Sequence, residues 1–165
     1  MIKILFICHG NICRSPMAEF ILKDKVEKRG LTSRFEIASA ATSTEEIWNG
    51  KGSSIYPPAQ AELRRRGIGG TAYTDFSGKR ARQVTGEDYK HYDYLLCADT
   101  ANIRNTIRIT GADTERKIGL LLDYTDRPGC SIADPWYSGN FEDTYRDVDA
   151  GCEGFLAYLK EKGAI

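Results

Sequence analysis

Residues 2–16 read IKILFICHGNICRSP, an apolar run that passes into a short polar loop and then into a helix-forming stretch. A continuous apolar run is typical of a strand buried in a parallel sheet, so we predict a strand over Ile2 to Ile7. Ser15 is a favourable helix N-cap and Pro16 suits the first helical position, which predicts a helix from Pro16 to about Lys28. The intervening loop therefore joins the first strand to the first helix.

This loop has the residue types of an anion site that carries its own nucleophile. Gly10 allows a tight turn, and the N–H groups at a helix N-terminus converge on one point that suits a phosphate group. Arg14 follows Cys8 by six residues, and its planar guanidinium can grip two phosphate oxygens. Because the same donors stabilise a thiolate, Cys8 is predicted to be nucleophilic without a histidine base.

Residues 8–19, CHGNICRSPMAE, resemble the signature of the low-molecular-weight protein tyrosine phosphatases. Further blocks resemble the rest of that family in the same order and cover nearly the whole chain: Ser39–Ser43, Ala81–Gln83, Asp93–Asp99 and Asp134–Tyr137. The resemblance implies that Asn11 and Ser15 hold the shape of the loop and hydrogen-bond the thiolate. It implies a phosphate-binding set that comprises His9, Gly10, Asn11, Ile12, Cys13, Arg14 and Ser15.

The block that starts at Asp134 is predicted to supply the acid. Attack of the Cys8 thiolate on phosphorus gives a phosphocysteine and expels an oxyanion that needs a proton. Pro135 restrains the backbone after Asp134, whose carboxyl group can donate that proton and then activate the hydrolytic water. We therefore predict that the catalytic residues are Cys8, Arg14 and Asp134.

Aromatic and apolar side chains are predicted to form the substrate pocket. Trp136 and Tyr137 supply flat walls for a phenyl ring, and Ile12 narrows the pocket from the loop. The family often carries an aromatic residue after the segment at 39–43, where this chain has Thr44-Glu45-Glu46. The nearest aromatic residue is Trp48, which reaches the pocket mouth only if its loop bends inward.

Two further expectations come from the resemblance. Cys13 lies in the same loop as Cys8, and in the family such a neighbour can form a protective disulfide with the nucleophile. A small buried structural role for Cys13 is the alternative. Lys79 stands where the family usually has a histidine that supports the loop asparagine, so the support of Asn11 is an open question.

Composition limits the partners that we expect. The chain has 23 basic and 23 acidic side chains, so no net field favours nucleic acid or a membrane surface. The first residues do not match a secretory signal, and five cysteines without zinc spacing suit a reducing compartment. We expect a cytoplasmic monomer or weak dimer that needs no cofactor or metal, with a tyrosine-phosphorylated protein or peptide and inorganic phosphate as partners.

Strands and helices alternate along the chain, which predicts an α/β fold with a parallel sheet covered by helices on both faces. Further strands are predicted over Phe35–Ser39, Tyr94–Ala98 and Lys117–Leu122, and further helices over Ala59–Arg66, Thr100–Ile109 and the C-terminal periodic stretch from Phe141 to Leu159. Residues 44–58 are predicted to be a polar loop. We expect one three-layer domain over residues 1–165, and the resemblance implies a four-stranded order of 2-1-3-4.

Three rival functions remain open at this point. Protein-arginine phosphatases resemble the family closely but carry Thr where this chain has Ile12, and a bulkier apolar group there favours a phenyl ring. Arsenate reductases of the same fold need a further redox-active cysteine pair, and Cys97 has no partner nearby in the sequence. A non-catalytic phosphoprotein-binding module predicts a damaged nucleophile, arginine or acid, whereas all three are present.

Overall fold

The computed structural model describes all 165 residues of the chain. A parallel sheet is formed by β1 (Ile2–Cys8), β2 (Phe35–Ala41), β5 (Tyr94–Cys97) and β6 (Ile118–Leu120), and a separate hairpin by β3 (Ile47–Trp48) and β4 (Lys51–Gly52). The helices are α1 (Arg14–Lys28), α2 (Pro57–Arg65), α3 (Gly86–His91), α4 (Thr100–Thr110), α5 (Pro135–Ser138) and α6 (Phe141–Glu161).

The main sheet has the order β2-β1-β5-β6, and all three strand pairs are parallel. Counted over this sheet alone, the order is 2-1-3-4, which confirms the expected α/β fold class. Ile4 pairs with Ile37 on one side and with Tyr94 on the other, so β1 is central. The strands of such a sheet end at a common edge, where ligands of open α/β folds bind.

Alternate side chains of β1 enter two apolar layers on opposite faces of the sheet. Ile4 and Phe6 belong to a core of 26 buried residues shared with α1 and α6. Leu5 and Ile7 belong to a smaller core of 8 buried residues on the other face. This alternation is the period-two geometry of a strand buried on both sides, and it explains why β1 is apolar at every central position.

Four local predictions differ from the structure. The first helix begins at Arg14 rather than Pro16, and the fourth strand is only three residues long because a 3-10 turn follows it over Leu121–Tyr124. The region predicted to be a polar loop contains the β3–β4 hairpin. The short helices α3 and α5 were not predicted, since neither spans the two turns that a periodic pattern needs.

No helix of the structure has the length and apolar character needed to cross a membrane.

Candidate active site

The loop predicted to bind an anion lies at the carboxyl end of β1 and leads into α1. Cys8 is the last residue of the strand and is buried, and Arg14 is the first residue of the helix. Asn11 adopts a left-handed backbone conformation with φ of 59°, which turns the chain back toward Cys8. Its own N–H group lies 3.3 Å from the Cys8 Sγ atom, so a backbone donor faces the sulfur.

Ser15 does not cap the helix as predicted, because α1 begins one residue before it. Its Oγ atom instead lies 3.0 Å from the Cys8 Sγ atom. The Nδ2 atom of Asn11 donates to the same Oγ atom at 2.8 Å, so the hydroxyl proton of Ser15 can point at the sulfur or at the more distant Ala40 carbonyl, 3.5 Å away. This geometry provides a second hydrogen-bond donor for a Cys8 thiolate.

A buried chain of hydrogen bonds supports Asn11 from behind the loop. Asn11 is 1% exposed, and its Nδ2 atom also donates to the Ser39 Oγ atom at 2.9 Å. The Ser39 hydroxyl donates in turn to the Glu19 Oε1 atom at 2.6 Å. Lys23 donates to the other Glu19 oxygen at 2.8 Å, so this buried carboxylate has a cationic partner on its outer side.

The block Ala81–Gln83 lies beside the end of β2 and completes the support of the loop. Ala41 donates its N–H group to the Arg82 carbonyl at 2.7 Å, and Val84 donates to the Ala41 carbonyl at 2.8 Å. The N–H group of Arg82 therefore points at the Oδ1 atom of Asn11, 3.2 Å away. All polar atoms of the Asn11 side chain are thus engaged.

The Arg14 side chain is buried beneath the loop and is held by two groups from later parts of the chain. Its Nη1 atom donates to the Asp99 Oδ2 atom at 2.8 Å and to the Ile132 carbonyl at 3.0 Å. Burial opposes the charge of Arg14, but the Cys8, Asp99 and Asp134 side chains outweigh it and raise the pKa of the guanidinium. Arg14 therefore stays cationic in a fixed orientation beside the Cys8 sulfur.

Asp134 lies across the site and is the N-cap of α5. Its Oδ1 atom accepts the N–H group of Trp136 at 3.0 Å, and its Oδ2 atom lies 3.6 Å from the Arg14 Nη2 atom. The cap fixes one carboxylate oxygen and leaves the other facing the site. The Trp136 ring packs against Tyr56 with ring centroids 4.9 Å apart.

A cavity of about 160 Å³ opens above the loop. It brings together most of the residues that the sequence singled out, and its lining comprises Cys8, His9, Gly10, Ile12, Cys13, Arg14, Glu45, Glu46, Asp134, Trp136 and Tyr137. Nucleophile, guanidinium and carboxyl group therefore surround one space, with two aromatic rings at its mouth. Asn11 and Ser15 lie behind the wall of the cavity, and both contact the Cys8 sulfur.

Trp48 does not line the cavity, so its predicted place in the substrate pocket is wrong. It lies on the β3–β4 hairpin and is 72% exposed. The residues before the hairpin take the place at the mouth: the Glu45 carboxylate lies 3.0 Å from the His9 Nε2 atom, and Ser53 donates to Glu46 at 3.0 Å. The tight turn of the hairpin directs Trp48 into solvent and leaves two carboxylates at the rim.

Cys13 lies in the same cavity lining as Cys8. Burial raises the pKa of the Cys13 thiol, and the neighbouring Cys8 adds to that effect. Cys97 is also buried, and burial raises its pKa to about 12. All five cysteines are free thiols in the structure, and no group of three His, Cys, Asp or Glu side chains could hold a metal ion.

Three supporting residues were given no role from the sequence: Asp99, Ser39 and Glu19. Asp99 had a usable signal, since it follows a buried strand at the edge of the sheet where ligands bind. Ser39 precedes the end of β2 at the same edge. Glu19 had a weaker signal, a carboxylate on the otherwise apolar inner side of α1.

Comparison with known proteins agrees with this geometry. Residues 3–164 match the family model described as low molecular weight phosphotyrosine protein phosphatase, and the chain belongs to this family of cysteine-based phosphatases. It is therefore a hydrolase of the protein tyrosine phosphatase class. The low molecular weight protein-tyrosine-phosphatase YfkJ of Bacillus subtilis is 37% identical over 163 residues, which are 98% of each chain.

Solved structures show the same fold. The crystal structure of YfkJ from Bacillus subtilis matches with a TM-score of 0.87 and 36% identity, covering 98% of this chain and 96% of that one. The crystal structure of a Drosophila arginine phosphatase matches with a TM-score of 0.82 and 29% identity, covering 96% of this chain and 98% of that one.

Proposed function

We propose that this enzyme hydrolyses phosphotyrosine in proteins through a phosphocysteine on Cys8, with Arg14 as the phosphate-binding cation and Asp134 as the general acid and base. The observation that supports this most strongly is the convergence of the three side chains on one cavity with aromatic walls. The Cys8 sulfur faces two donors, the Asn11 N–H group and the Ser15 hydroxyl, which stabilise its thiolate.

The reaction follows from this arrangement in two steps. The Cys8 thiolate attacks phosphorus, and the bond between phosphorus and the tyrosine oxygen breaks as Asp134 gives that oxygen a proton. Asp134, now a carboxylate, removes a proton from water, which attacks the phosphocysteine and releases inorganic phosphate and the thiolate. Arg14 and the loop N–H groups of His9 to Ser15 stabilise the equatorial oxygens in both steps.

The wall residues favour a flat ring over other phosphorylated groups. Ile12 narrows the cavity, and Trp136 and Tyr137 stand at its mouth beside Asp134. A phenyl ring placed between them buries apolar area and brings its ester oxygen to the acid. The likeness to a Drosophila arginine phosphatase makes phosphoarginine the second candidate substrate.

Arsenate reduction finds less support. The Cys97 sulfur lies beside the Thr106 hydroxyl, 3.9 Å away, and no disulfide is present. A reductase needs a further redox-active pair of cysteines that supplies electrons to the arsenic held on Cys8, and Cys97 has no such partner nearby in the sequence.

The setting of the enzyme is also a proposal. Five free cysteines suit a reducing compartment, so we place the enzyme in the cytoplasm, acting as one domain over residues 1–165. The balanced charge of 23 basic and 23 acidic side chains supports protein substrates rather than nucleic acid or membranes. The expectation of a monomer or weak dimer stays a prediction.

The test is phosphate release from matched phosphotyrosine and phosphoarginine peptides, without added metal, at mildly acid to neutral pH. We expect turnover of the phosphotyrosine peptide that is lost in Cys8→Ser and kept in Cys130→Ser, since Cys130 is the exposed cysteine. Faster turnover of the phosphoarginine peptide would replace the proposed substrate. Tight binding of phosphate without turnover of either peptide would favour a phosphoprotein-binding module.

A further inference from the structure

Lys79 lies at the inner end of the hydrogen-bond chain that supports the loop of residues 8–15 between β1 and α1, which we call the phosphate loop. Its Nζ atom donates to the Ser39 carbonyl at 2.9 Å and lies 3.7 Å from the Glu19 Oε1 atom. The Lys79 side chain is only 12% exposed and that of Glu19 only 6%. The two charges are therefore paired in a region that water hardly reaches.

We propose that Lys79 is a positioning residue for Cys8: its ammonium group holds Ser39 and Glu19 in place, and with them the loop donors that face the Cys8 sulfur. This inference rests on the proposed role of Cys8 as the nucleophile. It assigns a role to the residue that stands where a loop-supporting histidine was expected.

The hydrogen bonds of the chain lead from Glu19 through Ser39, Asn11 and Ser15 to the Cys8 sulfur. An ionised Glu19 accepts the Ser39 hydroxyl proton, which leaves a lone pair of Ser39 for the Asn11 amide. The other amide proton of Asn11 occupies a lone pair of the Ser15 oxygen, and the nearer acceptor for the Ser15 hydroxyl proton is then the Cys8 sulfur at 3.0 Å rather than the Ala40 carbonyl at 3.5 Å.

Each oxygen of the Glu19 carboxylate lies beside a lysine. Lys23 lies on the outer side of the carboxylate, whereas the Oε1 atom that receives the Ser39 proton faces Lys79. Burying a carboxylate without a cation beside it is unfavourable, so the two lysines favour the buried position of Glu19. Burial lowers the pKa of Lys79 and the Glu19 carboxylate opposes that shift, which shows how closely the two groups interact.

Lys79 also acts on the backbone of β2. Its hydrogen bond to the Ser39 carbonyl ties the position of Ser39 to that of the ammonium group. The Ser39 hydroxyl accepts a hydrogen bond from the Asn11 amide and donates one to Glu19, so a shift of Ser39 would break both contacts at once. Loss of Lys79 therefore disturbs the chain through geometry as well as charge.

The test compares Lys79→Met with a matched control, Lys117→Met. Lys117 is similarly buried, with a side chain 15% exposed, and donates to the Tyr89 carbonyl at 2.7 Å, far from the phosphate loop. Both variants lose a buried lysine and a bond to a carbonyl group. Lys79→Gln is a second variant in case the methionine variant does not fold, because it can still donate to Ser39.

The decisive measurement is the rate at which iodoacetamide alkylates Cys8 at pH 6, read by peptide mass spectrometry. The exposed Cys130 in the same sample serves as an internal standard. We expect Lys79→Met to slow the alkylation of Cys8 about tenfold or more relative to Cys130, the scale of one lost hydrogen bond to a charged group. In Lys117→Met the ratio should equal that of the wild-type enzyme.

Steady-state kinetics provide the second readout. We expect kcat for the phosphotyrosine peptide to fall by a similar factor in Lys79→Met while KM changes less, because the loop N–H groups still bind the phosphate. The inference would be overturned if two quantities stayed within twofold of wild type in Lys79→Met: the ratio of the Cys8 to the Cys130 alkylation rate, and kcat. If the wild-type enzyme turned over no phosphotyrosine, the proposed function would fail, and the alkylation ratio would still decide the role of Lys79.

Discussion

The Arg14 Nη1 atom lies 2.8 Å from the Asp99 Oδ2 atom beneath the phosphate loop. This ion pair links the start of α1 to the residues that follow β5. The other Asp99 oxygen accepts the Asn102 N–H group at 2.8 Å and caps α4. One carboxylate therefore orients the Arg14 guanidinium and begins a helix.

Replacement of Asp99 by Asn separates these two roles. Asn is a good N-cap but lacks the charge that holds Arg14, so we expect kcat/KM to fall about tenfold with little loss of stability. Asp99→Ala should lose activity further and about 1 kcal/mol of stability as well. Steady-state kinetics and urea denaturation of both variants check this. Equal activity of Asp99→Asn and wild type would show that Arg14 is oriented without the charge.

Asp134→Asn should reveal the proton transfer to the leaving group. The amide oxygen can still accept the Trp136 N–H group, so the shape of α5 is preserved. We expect kcat/KM for phenyl phosphate, which reports the first chemical step and not hydrolysis of the phosphocysteine, to fall about 10²- to 10⁴-fold, and the fall for p-nitrophenyl phosphate to be much smaller because its leaving group needs no proton. An equal loss for both substrates would contradict a role of Asp134 as the acid.

Mild peroxide should produce a disulfide between Cys8 and Cys13. Peroxide oxidises the Cys8 thiolate to a sulfenic acid, and attack by the Cys13 sulfur forms the disulfide with loss of water. Since burial raises the pKa of Cys13, its thiol attacks slowly and faster as the pH rises. Mass spectrometry of the oxidised wild type and of Cys13→Ser measures this. Absence of the cross-link in the wild type would leave Cys13 with a packing role only.

Gly52→Ala should disturb the site through the β3–β4 hairpin. A Cβ atom on Gly52 would lie 1.8 Å from the Ala81 carbonyl oxygen, so the hairpin must move away from the segment that supports Asn11. We expect a loss of about 1–3 kcal/mol in the free energy of unfolding, together with lower activity. Gly78→Ala is the matched control, because a Cβ atom there meets no atom within 4 Å. Equal unfolding curves for the two variants would contradict the close packing.

Asp88 should contribute to the pH dependence of the free energy of unfolding. Burial alone would raise its pKa, but the bonds from Arg82 and Thr85 outweigh burial and lower it. A carboxyl group with a lowered folded pKa stabilises the fold above its ordinary value of about 3.9, and the gain is lost as the pH falls through the lowered value. The unfolding free energies of wild type and Asp88→Asn should therefore converge below about pH 4. A constant difference from pH 7 to 3 would exclude this contribution.

The sequence predicted the sheet and the cysteine loop well because their patterns are local. The apolar run of β1 and the motif after it occupy adjacent residues, and each residue type has one dominant physical role there. The residue type of Ser15 predicted a helix cap, whereas its contact with the Cys8 sulfur was expected only from the family resemblance, because that contact depends on where the helix begins. A one-residue shift of the helix start changed the role of the side chain.

Longer-range features were harder to predict. The hairpin strands are two residues each, too short for an alternating pattern, although Asn49-Gly50 is a strong hairpin signal and both residues have positive φ. The placement of Trp48 failed for this reason. The contacts of Lys79 and Asp99 with the loop region join residues 40 and 85 positions apart, which no local pattern reveals.

The two carboxylates at the mouth of the cavity have a consequence for inhibitor chemistry. Glu45 and Glu46 line the same space as Trp136, within reach of any group attached to a bound phenyl ring. In an aryl phosphonate that carries an ammonium substituent, the phosphonate would face the Arg14 guanidinium and the ammonium group would face the Glu45 and Glu46 carboxylates. Such a compound would bind this enzyme more tightly than relatives that have an aromatic residue at the cavity mouth, because the two carboxylates attract the added ammonium group.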